Sequence, residues 1–313
     1  MSTVRYFRHD DVGAPTLTGE VGSLTNLLRK CLVGTAGVAY GSKASAGWTE
    51  EFVGAASNIA VFRNNEGEGG SGCYVLVNDN ASTGGGAQEA SLICYSAMTE
   101  VNSGVFGTAL VYFRKSGASS SAARPWIVVA DGLTAWVYVF NNGRGPDSGS
   151  SSVAVAGFGD YVSQYDGFYR NYFTMGSNTS NSSNGSAVPT LVIGSASAAL
   201  SIGSIDGVSA YLMPSLSHVI SLSGTVGGSS YPTGGDPISG VMHWIKNPYL
   251  VYGGRLIGRI RGMLLPCSNI QSFTRGAAAP DISDSVFMYM KGILSNQAGD
   301  AGGFLVDTAG PWL

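Results

Sequence analysis

The stretch Trp126-Ile127-Val128-Val129-Ala130-Asp131-Gly132-Leu133-Thr134-Ala135-Trp136-Val137-Tyr138-Val139-Phe140 decides the fold class. Two runs of β-branched and aromatic residues, Trp126 to Ala130 and Ala135 to Phe140, flank Asp131-Gly132, a dipeptide that tolerates the positive φ of a tight turn. An antiparallel hairpin is expected there. Working outward, Ile59 to Arg63, Cys73 to Asn78, Leu92 to Tyr95 and Val105 to Phe113 read as strands before it. Thr190 to Gly194, Val208 to Met213, His218 to Leu222, Val241 to Ile245, Arg255 to Leu265 and Val286 to Lys291 read as strands after it, separated by Gly, Ser and Asn clusters.

One segment has helical spacing. Leu24, Leu27, Leu28, Cys31 and Leu32 build a single apolar stripe, Ser23 is placed to cap it, Arg29 and Lys30 suit its C-terminal dipole, and Gly34 stops it. No self-similar unit of about 20 to 50 residues recurs, which argues against a β-helical shaft, a propeller or a solenoid. The expected fold is mainly β: a sandwich or irregular barrel with one N-terminal helix and long Gly/Ser loops at Gly143 to Ser152, Gly176 to Ser186 and Gly224 to Asp236. Its parts are an N-terminal arm and helix at 1–34, a first β region at 35–142 and a second at 143–313, the two β regions being separable or one continuous domain.

Composition limits the partners. Of 313 residues 44% are hydrophobic, enough to bury a core, yet only 12% are charged, about half the usual share, and 46 are glycine. Between Asn171 and Ile245 the only formal charges are Asp206 and Asp236, so this surface repels partners weakly. The net charge of -3 lacks the basic footprint that phosphate binding requires, so nucleic acid is not an expected partner. No apolar run reaches the roughly 18 residues that cross a bilayer, and the start Ser2-Thr3-Val4-Arg5-Tyr6 has no signal-peptide core. The expectation is a protein without membrane insertion, made and used in a cytoplasm or released by lysis. Cys31, Cys73, Cys94 and Cys267 form no C-x-x-C pair and read as small core hydrophobes.

Templates for chemistry fail one by one. Gly67-Glu68-Gly69-Gly70-Ser71-Gly72 matches the dinucleotide pattern in letters, but it runs into the strand Cys73-Tyr74-Val75-Leu76-Val77 where that motif needs a helix N-terminus for the pyrophosphate. It reads as a hairpin loop. His9, His218 and His243 are too scattered for a metal cluster, and there is no G-x-S-x-G elbow. Asp10-Asp11 is read as a solvated turn, since neighbours on extended chain point to opposite faces. No catalytic residue, cofactor or metal is assigned.

Aromatic groups give the candidate contacts. Tyr161, Tyr165, Phe168, Tyr169, Tyr172 and Phe173 crowd into Gly159 to Met175, where Tyr165 and Tyr169 are candidates for a carbohydrate or protein contact and a one-sided buried strand–turn element is the competing reading. At the ends, Arg5, Tyr6, Phe7 and Arg8 interleave aromatic and guanidinium groups, and Trp312 sits on the stiff Gly310-Pro311 tail, all types common as interface anchors. The alternative for both ends is that they fold back on their own domain.

Several pieces taken in order carry a resemblance: Arg5-Tyr6-Phe7-Arg8-His9-Asp10-Asp11-Val12-Gly13-Ala14-Pro15, then Gly22-Ser23-Leu24 and the helix, Ala46-Gly47-Trp48-Thr49, and Ala60-Val61-Phe62-Arg63. Arg124-Pro125-Trp126 to Asp131, Gly258-Arg259-Ile260-Arg261-Gly262 to Pro266, and Asp307-Thr308-Ala309-Gly310-Pro311-Trp312 complete it. This order resembles a group of tailed-bacteriophage virion proteins. The resemblance implies a structural component of the particle (head decoration, neck, or tail and baseplate) that binds neighbouring virion proteins and copies of itself, and it implies no catalysis. The competing functions are a host-surface glycan recognition module and, with less behind it, a polysaccharide depolymerase. Chelators and reductants are expected to leave the melting temperature unchanged, because no Cys or His spacing matches a metal site. A clear drop with EDTA in a thermal melt would reveal a bound ion.

Overall fold

The computed structural model describes residues 2–56, 58–80, 88–140, 153–164, 171–176, 199–203, 215–216, 244–246, 249–252, 255–266, 287–291, 303–308 and 311–312. The chain is mainly β, in antiparallel sheets, with one short helix. In order come β1 (Arg5–Arg8), α1 (Ser23–Leu28), β2 (Val38–Tyr40), β3 (Lys43–Ala44), β4 (Thr49–Val53), β5 (Ile59–Arg63), β6 (Tyr74–Asn78) and β7 (Glu89–Tyr95). β8 (Ala97–Glu100), β9 (Ser103–Val105), β10 (Val111–Arg114), β11 (Trp126–Ala130), β12 (Thr134–Phe140), β13 (Val153–Asp160), β14 (Val162–Ser163), β15 (Tyr172–Gly176) and β16 (Ala199–Ile202) follow. The C-terminal strands are β17 (Ser215–Leu216), β18 (Trp244–Lys246), β19 (Tyr249–Tyr252), β20 (Arg255–Arg259), β21 (Met263–Pro266), β22 (Phe287–Lys291) and β23 (Gly303–Asp307).

The expected hairpin is β11–β12, with Ala130 opposite Ala135 and Trp126 opposite Val139. Its turn closes because the Asp131 carboxylate accepts the amides of Leu133 (2.9 Å) and Thr134 (2.8 Å), an Asx-type turn. The hairpin lies inside a six-stranded sheet, β1-β11-β12-β13-β15-β16, which therefore draws strands from the N-terminal arm and from both β regions. A second sheet, β10-β7-β6-β5-β4, packs on it. Side chains alternate across the large sheet: Phe7, Trp126, Val128, Val137 and Val139 point into the sandwich with Phe62, Val75, Leu92 and Phe113. Ile127, Val129, Trp136, Tyr138 and Phe140 point the other way, onto Leu250, Ile257, Ile260, Met263, Val306 and Trp312 from the C-terminal strands. The large sheet is thus a middle layer, buried on both faces, and this is why its strands lack polar alternation. Each fully buried Phe or Val of this kind stabilises the fold by about 1.5–3 kcal/mol before chain entropy is counted.

The helix forms where its stripe predicts, but its cap comes from elsewhere. Ser23 Oγ donates back to the carbonyls of Thr18 (2.8 Å) and Glu20 (3.1 Å), and the free Leu24 amide is received by the Asp79 carboxylate at 2.7 Å. Asp79 also meets Lys115 in an ion pair whose side chains are both 0% exposed, and Lys115 donates further to the Glu20 carbonyl and to Ser23 Oγ. The ends of β6 and β10 are thereby tied to the start of α1. The last turn, Arg29–Val33, widens to π geometry and stops at Gly34, whose φ of 69° and close approach to the Val38 carbonyl leave no room for a side chain.

Three expectations need correction. Arg255 to Leu265 is not one strand, since it divides into β20 and β21 around Gly262, whose φ is 70°. Val105 to Phe113 is not one strand, since Phe106 takes a φ of 55° and breaks the run between β9 and β10. The N-terminal arm and the residues just before Asp160 also form strands, β1 and β13. The glycine-rich run 67–72 lies in the β5–β6 hairpin loop, as its context implied. Thr190 to Gly194, Val208 to Met213, His218 to Leu222, the Gly143 to Ser152 and Gly224 to Asp236 loops, and all of the Gly176 to Ser186 loop after Gly176 lie outside the described residues.

Asp79→Ala should cost about 3–5 kcal/mol, because it strands the Lys115 ammonium in a site sealed from water. The double replacement Asp79→Leu with Lys115→Met should recover most of that loss, and denaturant melts of the three proteins would show it.

Candidate functional site

The candidate contacts among the described residues do not converge on one surface. Phe7 is buried in the sandwich core and Tyr6 packs half-buried against the second core, while Arg8 is held by a bidentate pair with Asp10, at 2.8 and 2.7 Å. Trp312 is 3% exposed, donates its indole N–H to the Asp307 carbonyl (2.8 Å), and lies flat against Gly262, where a Cβ would come within 2.4 Å of the ring. Phe7 and Trp312 thus sit in the two cores, and folding already removes their apolar area from water. Arg5, Tyr6 and Arg8 keep partly exposed side chains, and Tyr165 and Tyr169 lie outside the described residues. Of the aromatic-rich segment, Tyr161, Tyr172 and Phe173 are buried, while Phe168 lies outside the described residues with Tyr165 and Tyr169.

Asp10 and Asp11 lie in the turn that follows β1 and part company there. Asp11 turns inward: its Oδ2 accepts the Arg8 amide (2.7 Å) and the Tyr40 hydroxyl (2.8 Å) and pairs with Lys43 Nζ (2.6 Å). Lys43 in turn donates to the Tyr6 carbonyl at 2.8 Å. Those bonds hold the Asp11 carboxyl below its ordinary value although burial opposes them. The clasp that results runs along the outer edge of β1, and the simple reading of a solvated turn missed it.

The densest polar cluster lies at one end of the sandwich, around the β11–β12 turn. Arg261 Nη2 donates to Asp131 Oδ2 at 2.5 Å, Trp136 donates its indole N–H to the Arg261 carbonyl (3.1 Å), and Trp48 donates its own to the Asp131 carbonyl (2.7 Å). The Gly132 amide donates to Ser2 Oγ at 2.7 Å, and Ser2 donates to Glu68. Asp160, at the end of β13, accepts the Ser71 amide (2.7 Å) and hydroxyl (2.5 Å), so the glycine-rich loop is pinned to the large sheet. Burial pushes the Asp160 carboxyl up to about 6 against the pull of Ser71, Asn64 and Arg261, and burial raises Asp79 to about 6 as well. A carboxyl that titrates near neutrality suits acid–base work in general, but Asp160 is 1% exposed and its bonds join strands to loops.

Other chemistry is sparse. Cys31, Cys73 and Cys94 are buried, and burial raises the thiols of Cys31 and Cys73 well above their usual range, away from nucleophilic use. Cys267 lies outside the described residues. Among the described residues no group of three His, Cys, Asp or Glu side chains could hold a metal ion, and no helix is long and apolar enough to cross a membrane. Compared with family models and with curated proteins, the chain matches none. Sequence reasoning missed Asp79, Lys115, Asp131, Asp160 and Arg261 as a set. The signal they share is scarcity, in a chain with only 12% charged residues.

The raised Asp160 carboxyl binds its proton more tightly folded than unfolded, so between about pH 6 and pH 4 the folded state takes up a proton there and gains stability as the pH falls. That gain is absent above the folded value and complete below the unfolded one, and it amounts to at most about 3 kcal/mol. Asp160→Asn, which copies the protonated form, should flatten the rise of melting temperature between pH 7.5 and 4.5. A profile parallel to the parent would mean that Asp160 does not titrate in this window.

Proposed function

We propose that the chain is a structural subunit of a tailed-bacteriophage particle, assembled in the host bacterial cytoplasm, that acts by binding neighbouring virion proteins and copies of itself and catalyses no reaction. The observation that carries this reading is where the few charges go. The chain has 17 basic and 20 acidic residues in 313, and Asp79, Lys115, Asp131, Asp160 and Arg261 are buried in the fold. These buried charges are lost to a surface that has few, which favours close packing against other subunits over free solubility. The resemblance of the ordered segments from Arg5 to Trp312 supports the choice of particle. Glycan recognition draws no support from Tyr161, Tyr172 and Phe173, which are buried.

The purified chain should associate with itself or with tailed particles when sedimented across a wide concentration range. A strict monomer that also fails to cosediment with particles lacking it would count against a structural role, and reproducible binding on a glycan array would favour recognition.

A further inference from the structure

Among the described residues the outer edge of the large sheet is open in topology and closed in chemistry. β1 is its end strand, paired on one side with β11 in the register Arg5–Ala130 to Arg8–Ile127. The His9 amide donates to the Trp126 carbonyl at 3.1 Å, and the alternation of an antiparallel ladder then turns the backbone groups of Arg5 and Phe7 toward β11 and those of Tyr6 and Arg8 outward. An end strand of this kind is a template for a further strand. Here it is already occupied, mostly by side chains. Lys43 Nζ donates to the Tyr6 carbonyl (2.8 Å), the Arg8 amide donates to the Asp11 carboxylate (2.7 Å), and the Arg8 carbonyl accepts the Asp11 amide (3.3 Å) and the Tyr40 hydroxyl (3.4 Å). Lys43 and Asp11 are themselves paired, so the three side chains act as one clasp.

We propose that the Tyr6–Arg8 edge is a latent strand-addition site held shut by the Asp11–Lys43–Tyr40 clasp, and that the strand it accepts on opening is the same edge of a second copy. Tyr6 and Arg8 lie on one face of β1. A two-fold antiparallel pairing centred on Phe7 sets each Tyr6 ring opposite the Arg8 guanidinium of the other copy, a favourable cation–π pair. Like charges do not meet on that face. The chemistry of the pairing is main-chain hydrogen bonding, as in other strand-addition contacts, with the Tyr–Arg pair setting the register. This inference is independent of whether the chain belongs to a phage particle.

The test compares the parent with Asp11→Ala/Lys43→Ala by sedimentation velocity over the same concentrations, with circular dichroism to confirm folding. The opened variant should dimerise at least tenfold more tightly than the parent. Adding Tyr6→Pro, which removes an outward N–H while sparing the bonds to β11, should abolish that gain. Hydrogen exchange gives a second readout that survives partial destabilisation: the Arg8 amide should exchange faster in the opened monomer and slow again with rising concentration. An opened variant that is folded, sediments like the parent and shows no concentration-dependent protection of Arg8 would overturn the proposal, as would tighter dimerisation that Tyr6→Pro leaves intact.

Discussion

Burial of one sheet on both of its faces is the constraint on which the rest of the structure depends. Because Trp126 and Val128 face one core while Ile127 and Val129 face the other, β11 cannot slip by a residue without exchanging the contents of two cores. Every other layer is positioned by that strand and its partner. The five-stranded sheet and the helix cover one side, the C-terminal strands cover the other, and the polar cluster around Asp131 fixes the turn that joins β11 to β12. A middle layer of this kind must come from a sequence with no polar face, and Trp126 to Phe140 supplies the longest such passage among the described strands.

Much of this was legible from residue type. The hairpin at Asp131-Gly132, the strands Ile59 to Arg63 and Cys73 to Asn78, the leucine stripe of α1 and its stop at Gly34 all follow from local rules, and each is where those rules place it. Arg5-Tyr6-Phe7-Arg8 reads only as part of an N-terminal arm; what makes it the strand β1 is β11, more than a hundred residues away. The same non-locality hid the helix cap. Ser23 is a good cap by type, yet Gly22 stands at the cap position and the first amides, those of Leu24 and Thr25, go to Asp79, whose position only the tertiary fold decides. Phe106 shows the limit of composition, since nothing in Val105 to Phe113 announces a residue with positive φ.

The candidate contacts fared according to size. Large aromatic groups attract both interfaces and cores, and sequence gives no means to separate the two uses; Phe7 and Trp312 went to cores. Charged groups were the better guide. In a chain this poor in charge, the positions of Asp11, Lys43, Asp79, Lys115, Asp160 and Arg261 mark joints between segments distant in sequence, and none of the joints could be inferred from spacing.

The pairing of β1 with β11 also orders events in time. During synthesis, residues 5–8 leave the ribosome with their partner strand still untranslated, and the contacts of Trp312 with the second core come only at the other end of the chain. Topologies with such distant pairings fold slowly, because the entropy of closing the loop is lost before the contacts that compensate for it are made. For that interval Tyr6 and Phe7 have no sheet to rest on. The hairpin β2–β3 and the Asp11 turn are close in sequence to β1 and emerge soon after it, so the groups that later line the strand's edge are already at hand to shield its backbone on the nascent chain.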